Sequence, residues 1–481
     1  MGIRNRDRQQ VTSPAPPPPD EPYAGVLLDD IPDDPGAVDE RNAGRRKGQR
    51  ACTQPHLLVS ARTGQGKSRA ILGVNTIIWG ARPVVCVSSK GDLAELTIRQ
   101  RARFGPVYLL DLSGEVRESE LKGVPVTRVQ ADPCALVYDD DSALDMASLL
   151  MEVGDLGAGD GTGGGGDKAT WQTLARRSLA AIIQASGWYE HPQRGLVWGG
   201  GARWAANACE NSAISEPKDK EEAERKNNDL DTPSWETAYR RGKLQDSWHA
   251  DTLMTSAAMD PRQRDSIGIN MRNAFASWAS RRVADHDREL VPPFEPSMLE
   301  HGGTLFVVAP LNGTSAPPAV AVITSMIDHW RKRVGQLPSL LLVIDELPNT
   351  TPLPRLANWV GETRGLFIRM CVAVQASSQL APRWGEAGMR ILRDIFPAIL
   401  VLPGAPEDEL FERAAKAAGK IERGTSSLDA TARTSQGREV TAAVDEAELR
   451  PTRRGEGRLI LGGMAGVRVR VPDMSDIKGL T

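Results

Sequence analysis

The chain is 481 residues long, 40% hydrophobic and 25% charged, with a formal net charge of −3. That length has room for two or three domains with ample core, and the near-neutral balance excludes a uniformly basic nucleic-acid coat while permitting a local basic surface. Five scattered cysteines without a C-x-x-C pair argue for reduced thiols rather than a disulfide framework or zinc site, and no apolar run nears the roughly 18 residues of a membrane span.

In chain order, residues 1–50 come first, with SPAPPPPDEP, an acidic stretch and then RRKGQR. Such a composition buries too little apolar surface to offset its ordering entropy, so it reads as a disordered tail, or more weakly as a docking segment for a partner. The start, MGIRNRDRQQ, lacks the apolar core of a signal peptide, which places the chain in the cytoplasm. From residue 57, short apolar runs alternate with helical stretches, as a parallel α/β sheet requires. HLLVS, PVVCVSS and PVYLLDL read as strands. Between about 155 and 290 the strand pattern vanishes. The glycine-rich GDLGAGDGTGGGGDK follows no strand and lacks a lysine-serine ending, so it reads as a linker. TWQTLARRSLAAIIQASG reads as a helix with Trp171, Leu174, Ser178 and Ile182 on one face and Gly187 as its stop. The charge run EPKDKEEAERKNNDLD (216–231) is a solvated loop or helix. Strands resume with TLFVVAP at 304, then SLLLVIDELPN, LFIRMCVAVQ and AILVLPG, and no internal repeat is visible.

Three strand ends carry chemistry. LLVSARTGQGKSRA (57–70) meets the pattern G-x-x-x-x-G-K-[ST] at Gly66, Lys67 and Ser68, but has Ala61 in the first glycine position. The match alone decides nothing; its context, a strand before and a helix after, supplies the geometry in which backbone N–H groups and a helix N-terminus face phosphates. Thr63, Gly64, Gln65, Gly66, Lys67, Ser68 and Arg69 are therefore candidate nucleotide-binding positions, Lys67 reaching the β- and γ-phosphates and Ser68 ligating Mg²⁺. Downstream, SLLLVIDELP ends in Asp345 and Glu346; one carboxylate would sit near the metal through water (Asp345) and the other would activate the attacking water (Glu346). The bland reading is a solvated strand end. FIRMCVAVQ ends in Gln375, an amide placed to sense the γ-phosphate once the other two strand ends are present. Together they imply an ATPase using ATP and Mg²⁺. The long insertion between phosphate loop and acids suits a ring motor, in which a neighbouring subunit supplies an arginine. Arg364 is the candidate, with Arg390 and Arg393 behind it; all three also read as plain surface arginines. The expected fold class is α/β: a P-loop RecA-like ATPase domain with a mostly parallel sheet (51–154 and 291–475), interrupted by an inserted all-α domain (155–290).

The same residues resemble a known family. ARTGQGKS followed by VVCVSSKGDL, the tryptophan-bearing ATWQTLARRSLAAII, the return FEPSMLEHGGTLFVVAP, and above all the block from Asp345 to Gln379 are similar to type IV secretion coupling proteins, the TraG-like ATPases of conjugative DNA transfer. The closing stretches AILVLPG and ELRPTRRGEGRLILGGMAGVRVRVP fit the same pattern. The resemblance implies a homo-hexameric motor, peripheral at the inner face of the cell membrane. It would take relaxase-bound single-stranded DNA and other relaxosome proteins to the secretion channel. Trp171, Arg176, Arg177, Trp248, Arg262, Arg264 and Trp278 in the insertion could grip a strand, though each reads more simply as core or surface. Family members usually begin with membrane-spanning helices and this sequence has none, which leaves three explanations: a separate membrane anchor protein as partner, an unanchored variant, or an anchor that has been removed. Two rivals share the motifs: a duplex DNA translocase acting inside the cell, and a non-motor ATP-binding scaffold that recruits substrates.

Overall fold

The computed structural model describes residues 20–33, 40–157, 166–212, 218–221, 224, 228–284, 290–311, 316–428 and 434–477. Its strands, in chain order, are β1 (Val26–Leu27), β2 (His56–Ser60), β3 (Val84–Ser88), β4 (Val107–Asp111), β5 (Thr127–Arg128), β6 (Trp188–His191), β7 (Gly195–Trp198) and β8 (Thr304–Val308). They continue with β9 (Leu340–Ile344), β10 (Ile368–Val374), β11 (Ala398–Val401), β12 (Lys420–Leu428), β13 (Thr434–Ala442), β14 (Glu456–Leu461) and β15 (Val467–Arg470). All seven runs read as strands above are strands. Every residue of β2, β3, β8, β9, β10 and β11 is buried, which is why they read as unbroken apolar runs rather than alternating ones.

The main sheet runs β1-β15-β14-β11-β2-β10-β9-β3-β8-β4-β5. From β11 to β5 every pairing is parallel, and β14, β15 and β1 close one edge antiparallel. The strand after the acids, β10, lies between the phosphate-loop strand and the acid strand; Val374 is opposite Ser60 and Val372 opposite Ile344. This register brings the C-terminal ends of these three central strands, with their functional residues, to the same side of the sheet, where open α/β sheets bind ligands.

The sheet alternates its side chains between two cores. Leu57 and Val59 face one, with Ile71, Trp79, Leu93 and Ile98; Leu58 faces the other. That second core runs on without a break into the inserted helices, through Leu150, Leu179, Trp235 and Met271. The insertion is mostly helical and starts earlier than its composition suggests. The helix Asp140–Gly157 packs on the helix Gly166–Ala185, so it already belongs to the bundle. It also holds a small hairpin, β6–β7, which its mixed sequence does not announce. In the helix Gly166–Ala185 the buried stripe is Ala175, Ser178, Leu179 and Ile182, while Leu174 faces solvent. Residues 158–165 of the glycine-rich stretch, part of the charge run, and the Trp171 side chain lie outside the described residues.

The expectation of a disordered tail over residues 1–50 needs correcting for 20–33 and 40–50. Val26 and Leu27 pair with Arg470 and Val469, and Tyr23, Ala24, Leu27 and Ile31 are buried. The proline-rich, acidic surroundings hide these few apolar residues from a composition reading. Residues 1–19 lie outside the described residues. The cysteines are free thiols as expected; burial pushes Cys86 up to about 12.

Candidate nucleotide site

The loop between β2 and its helix is built around two left-handed glycines. Gly64 and Gly66 have φ of 83° and 85°, a region costly for residues with a Cβ, and a Cβ at either would meet no neighbour. It is therefore the backbone turn, not lack of space, that requires glycine there. Ala61 tolerates its methyl because it has not left the sheet: it is fully buried, and its N–H donates to Val374 O at 3.1 Å. Helical winding begins at Lys67 as a π-turn (Lys67–Leu72) and continues as an α-helix (Gly73–Ile78). Gly66 caps this helix without a side chain, so its first N–H groups are left for a ligand.

Five of the expected side chains meet at these strand ends. Lys67 Nζ donates to Glu346 Oε1 and lies 3.4 Å from Asp345 Oδ1. Ser68 Oγ donates to Asp345 Oδ2 at 3.2 Å, and Gln375 Nε2 donates to Glu346 Oε1 at 3.0 Å. Lys67, Asp345 and Glu346 are all buried. Burial raises the Asp345 carboxyl above its ordinary value; the Lys67 ammonium works against this, and the neighbouring Glu346 charge adds to it. Glu346 has φ +54°, uncommon for a residue with a side chain. The turn that holds it there comes from Thr350, whose hydroxyl donates to Asp345 O at 2.9 Å and to Glu346 O at 3.2 Å. Gln379 Oε1 accepts from the Gln375 N–H at 2.9 Å and fixes that strand tip. The acids' supply of lone pairs is not used up: Asp345 Oδ1 and Glu346 Oε2 are buried without a hydrogen-bond partner. A cradle of left-handed glycines, one lysine, one hydroxyl and under-used buried carboxylate oxygens fits a polyphosphate with a hard divalent cation.

Residues 339–454, which include Asp345, Glu346 and Gln375, match the family described as the TraM recognition site of TraD and TraG. The fold is similar to the bacterial conjugative coupling protein TrwBdeltaN70 in complex with sulphate, with TM-score 0.55 and 18% identity over 87% of this chain and 85% of that one. It is likewise similar to TrwB in complex with an ATP analogue, ADPNP (0.53, 16%, 88% and 86%), and with ADP and Mg²⁺ (0.51, 17%, 87% and 86%). No curated protein matches the sequence. The likeness to conjugative coupling proteins holds, in sequence over 339–454 and in fold over most of the chain.

The same sheet and its flanking helices give the remaining expected residues their places. Thr63 is exposed and Gln65 half-buried on the phosphate loop. Arg69 is turned away from it: its guanidinium donates two bonds of 2.8 Å to Asp473, which is held well below the usual carboxylate range by that contact. Arg364 is exposed just before β10, at the opposite end of that strand from Gln375. It lines a cavity of about 310 Å³ with Arg41, Arg369, Asp20 and Glu21. Arg393 is engaged within the chain, by Ser377 and Glu409, and Arg390 is exposed. In the insertion, Trp278 is core, its Nε1 donating to Ala131 O. Trp248 is 80% exposed with Arg177 donating to its carbonyl, Arg262 is exposed, and Arg176 and Arg264 are half-buried. No helix among the described residues is long and apolar enough to cross a membrane. Thr350 escaped the sequence reading because a threonine inside LPNTT carries no signal until the strand end is known to bend.

Proposed function

We propose that this chain is an ATP-driven coupling protein that delivers relaxase-bound single-stranded DNA to a type IV secretion channel. The observation that carries the reading is the convergence of Lys67, Ser68, Asp345, Glu346 and Gln375, distant in sequence, at the ends of three central strands. The TrwB structures with ADPNP and with ADP and Mg²⁺ support the choice of ATP and Mg²⁺ as ligands. The loop Thr63–Ser68 would bind the phosphates, with Arg69 contributing its backbone, and Ser68 and Asp345 would hold the cation, Asp345 through water. Bound Mg²⁺ would neutralise charge developing on the phosphate oxygens. Lys67 orients the phosphates; Glu346, held by Gln375, accepts the proton of the attacking water; Gln375 senses whether the terminal phosphate is present. Arg364 acts on the neighbour's nucleotide in a homo-hexameric ring, worth about 10³–10⁵ in rate in comparable enzymes. Its place away from its own subunit's site suits action in trans. Relaxosome proteins and channel components are the partners, met at the inner membrane face.

The test is ATP turnover by the purified chain over a range of concentrations, alone and with single- or double-stranded DNA. Turnover per subunit that rises with concentration and with single strands is expected. Stimulation by duplex alone would point to a translocase acting inside the cell, and nucleotide binding without turnover to a recruitment scaffold.

A further inference from the structure

Next to the nucleotide site lies a buried carboxylate that plays no direct part in the chemistry above. Glu407 follows β11 and is 1% exposed. Its Oε1 accepts from Ser60 Oγ at 2.5 Å and from the Ser377 N–H at 2.7 Å, and its Oε2 accepts from Ser377 Oγ. These partners are not incidental. Ser60 is the last residue of β2, directly before the phosphate loop, and Val401 of β11 stands opposite it in the sheet. Ser377 opens the short 3-10 turn Ser377–Leu380, whose Gln379 holds the backbone of Gln375. One carboxylate thus ties the base of the phosphate loop to the turn that carries the sensor. The Arg393 Nε donates to Ser377 Oγ at 2.7 Å, so that hydroxyl must send its own proton to Glu407.

We propose that Glu407 is a positioning residue for hydrolysis, setting Gln375 against Glu346 by clamping the sensor turn to the phosphate-loop strand. The proposal rests on the ATPase reading above. A carboxylate is needed because all three partners are donors. In Glu407→Gln one acceptor oxygen becomes an NH₂ donor, so whichever way the amide lies at least one of the three donors loses its acceptor and the clamp loosens. The phosphate loop keeps its glycine-built shape, so binding should survive while alignment does not.

The experiment measures the affinity of the full chain for a fluorescent ATP analogue with Mg²⁺, kcat and KM for ATP, and the melting curve. Glu407→Gln is expected to keep affinity and KM within about threefold while kcat falls by at least about tenfold. Ser60→Ala, which cuts the carboxylate from the phosphate-loop strand and leaves both Ser377 bonds in place, should do the same and decides the matter if Glu407→Gln does not fold. The double variant should be no slower than the slower single one, since both open one clamp. Glu409→Gln, at the exposed end of the Arg393 contact, should stay within about twofold of the unaltered chain. An unchanged kcat in the folded variants overturns the proposal alone, as does a joint fall of kcat, affinity and melting point, which would mark a purely structural residue. An unaltered chain that binds nucleotide but never turns it over overturns the ATPase reading and takes this proposal with it.

Discussion

Lys67 shares one positive charge between two buried carboxylates, and this makes its removal more than the loss of a phosphate contact. In Lys67→Ala, Asp345 and Glu346 would face each other without a cation, and both turnover and Mg²⁺-nucleotide affinity should fall. A drop in turnover of at least about 10²–10³-fold is expected; turnover within tenfold of the unaltered chain would contradict the assigned role. Glu346→Gln keeps the side chain's shape and should retain nucleotide while stalling hydrolysis, read as stable binding of ATP itself over many minutes. His56, at the start of β2, supplies a pH prediction. Burial, with the charges of Arg369 and Arg364, holds it at about 3 instead of its ordinary 6.5, and its Nδ1 accepts from the Met370 N–H at 3.2 Å. A depressed pKa means that folding excludes a proton the unfolded chain would take. Its stability contribution is full above about pH 6.5 and is lost as pH falls toward 3. Between pH 7.5 and 5 the loss should be about 2 kcal/mol, measured by urea unfolding, and His56→Gln should flatten that slope.

At the scale of elements, two buried arginines do for loops what hydrogen-bonded ladders do for strands. Arg101, fully buried at the end of the helix Asp92–Arg101, donates to the carbonyls of Thr76, Gly80, Arg82 and Gly303 and to the Thr304 hydroxyl. It thereby joins the turns that lead into β3 and β8. Arg241 does the same in the insertion, donating to Leu230, Ala185 and Gly199 carbonyls with its guanidinium 4.1 Å from the Trp204 ring centre. Arg101→Leu would leave several buried carbonyls unpaired and is expected to cost about 3 kcal/mol or more in urea unfolding. Arg101→Lys restores a charge but not the planar fork and should remain at least about 1 kcal/mol short. Neither arginine was legible in the sequence, where each sits in a basic run that looks solvated, because its carbonyl partners come from distant turns. The strands were legible for the opposite reason. Burial on both faces leaves a local apolar run, and HLLVS or LLLVI cannot be mistaken for a surface segment. The acids and Gln375 were legible because they end such runs; Thr350 and Glu407 were not, because their roles depend on where separate strands finish.

Across the whole molecule, domain boundaries read from composition shift once packing is known. The insertion shares a continuous core with one face of the sheet, so the change from strand to helix at residue 155 is not a change of core. Residues 20–33 show the same effect at the other face. Asp20 pairs with Arg369 and Arg82, β1 extends the sheet beyond β15, and Tyr23 exchanges hydrogen bonds with Asn75, its N–H donating at 2.6 Å and its carbonyl accepting at 2.9 Å. Asn75 belongs to the helix that follows the phosphate loop, and Tyr23 packs there with Val74, Ile77 and Met474. Residues 20–33 and 471–477 therefore brace that helix from two sides, the second also through Asp473 and Arg69. Deleting residues 1–50 would expose the β15 edge, remove the buried Tyr23, Ala24, Leu27 and Ile31, and leave the Asn75 amide oxygen without the Tyr23 N–H. A loss of at least about 3 kcal/mol is expected, with weakened nucleotide affinity because the braced helix carries Lys67 and Ser68 at its start. Leu27→Asp, which buries a charge at the same strand, should lower the unfolding midpoint in the same direction without shortening the chain. An unchanged midpoint in both would mean that these residues merely lie on the sheet and that the original boundary near residue 50 describes the folding unit after all.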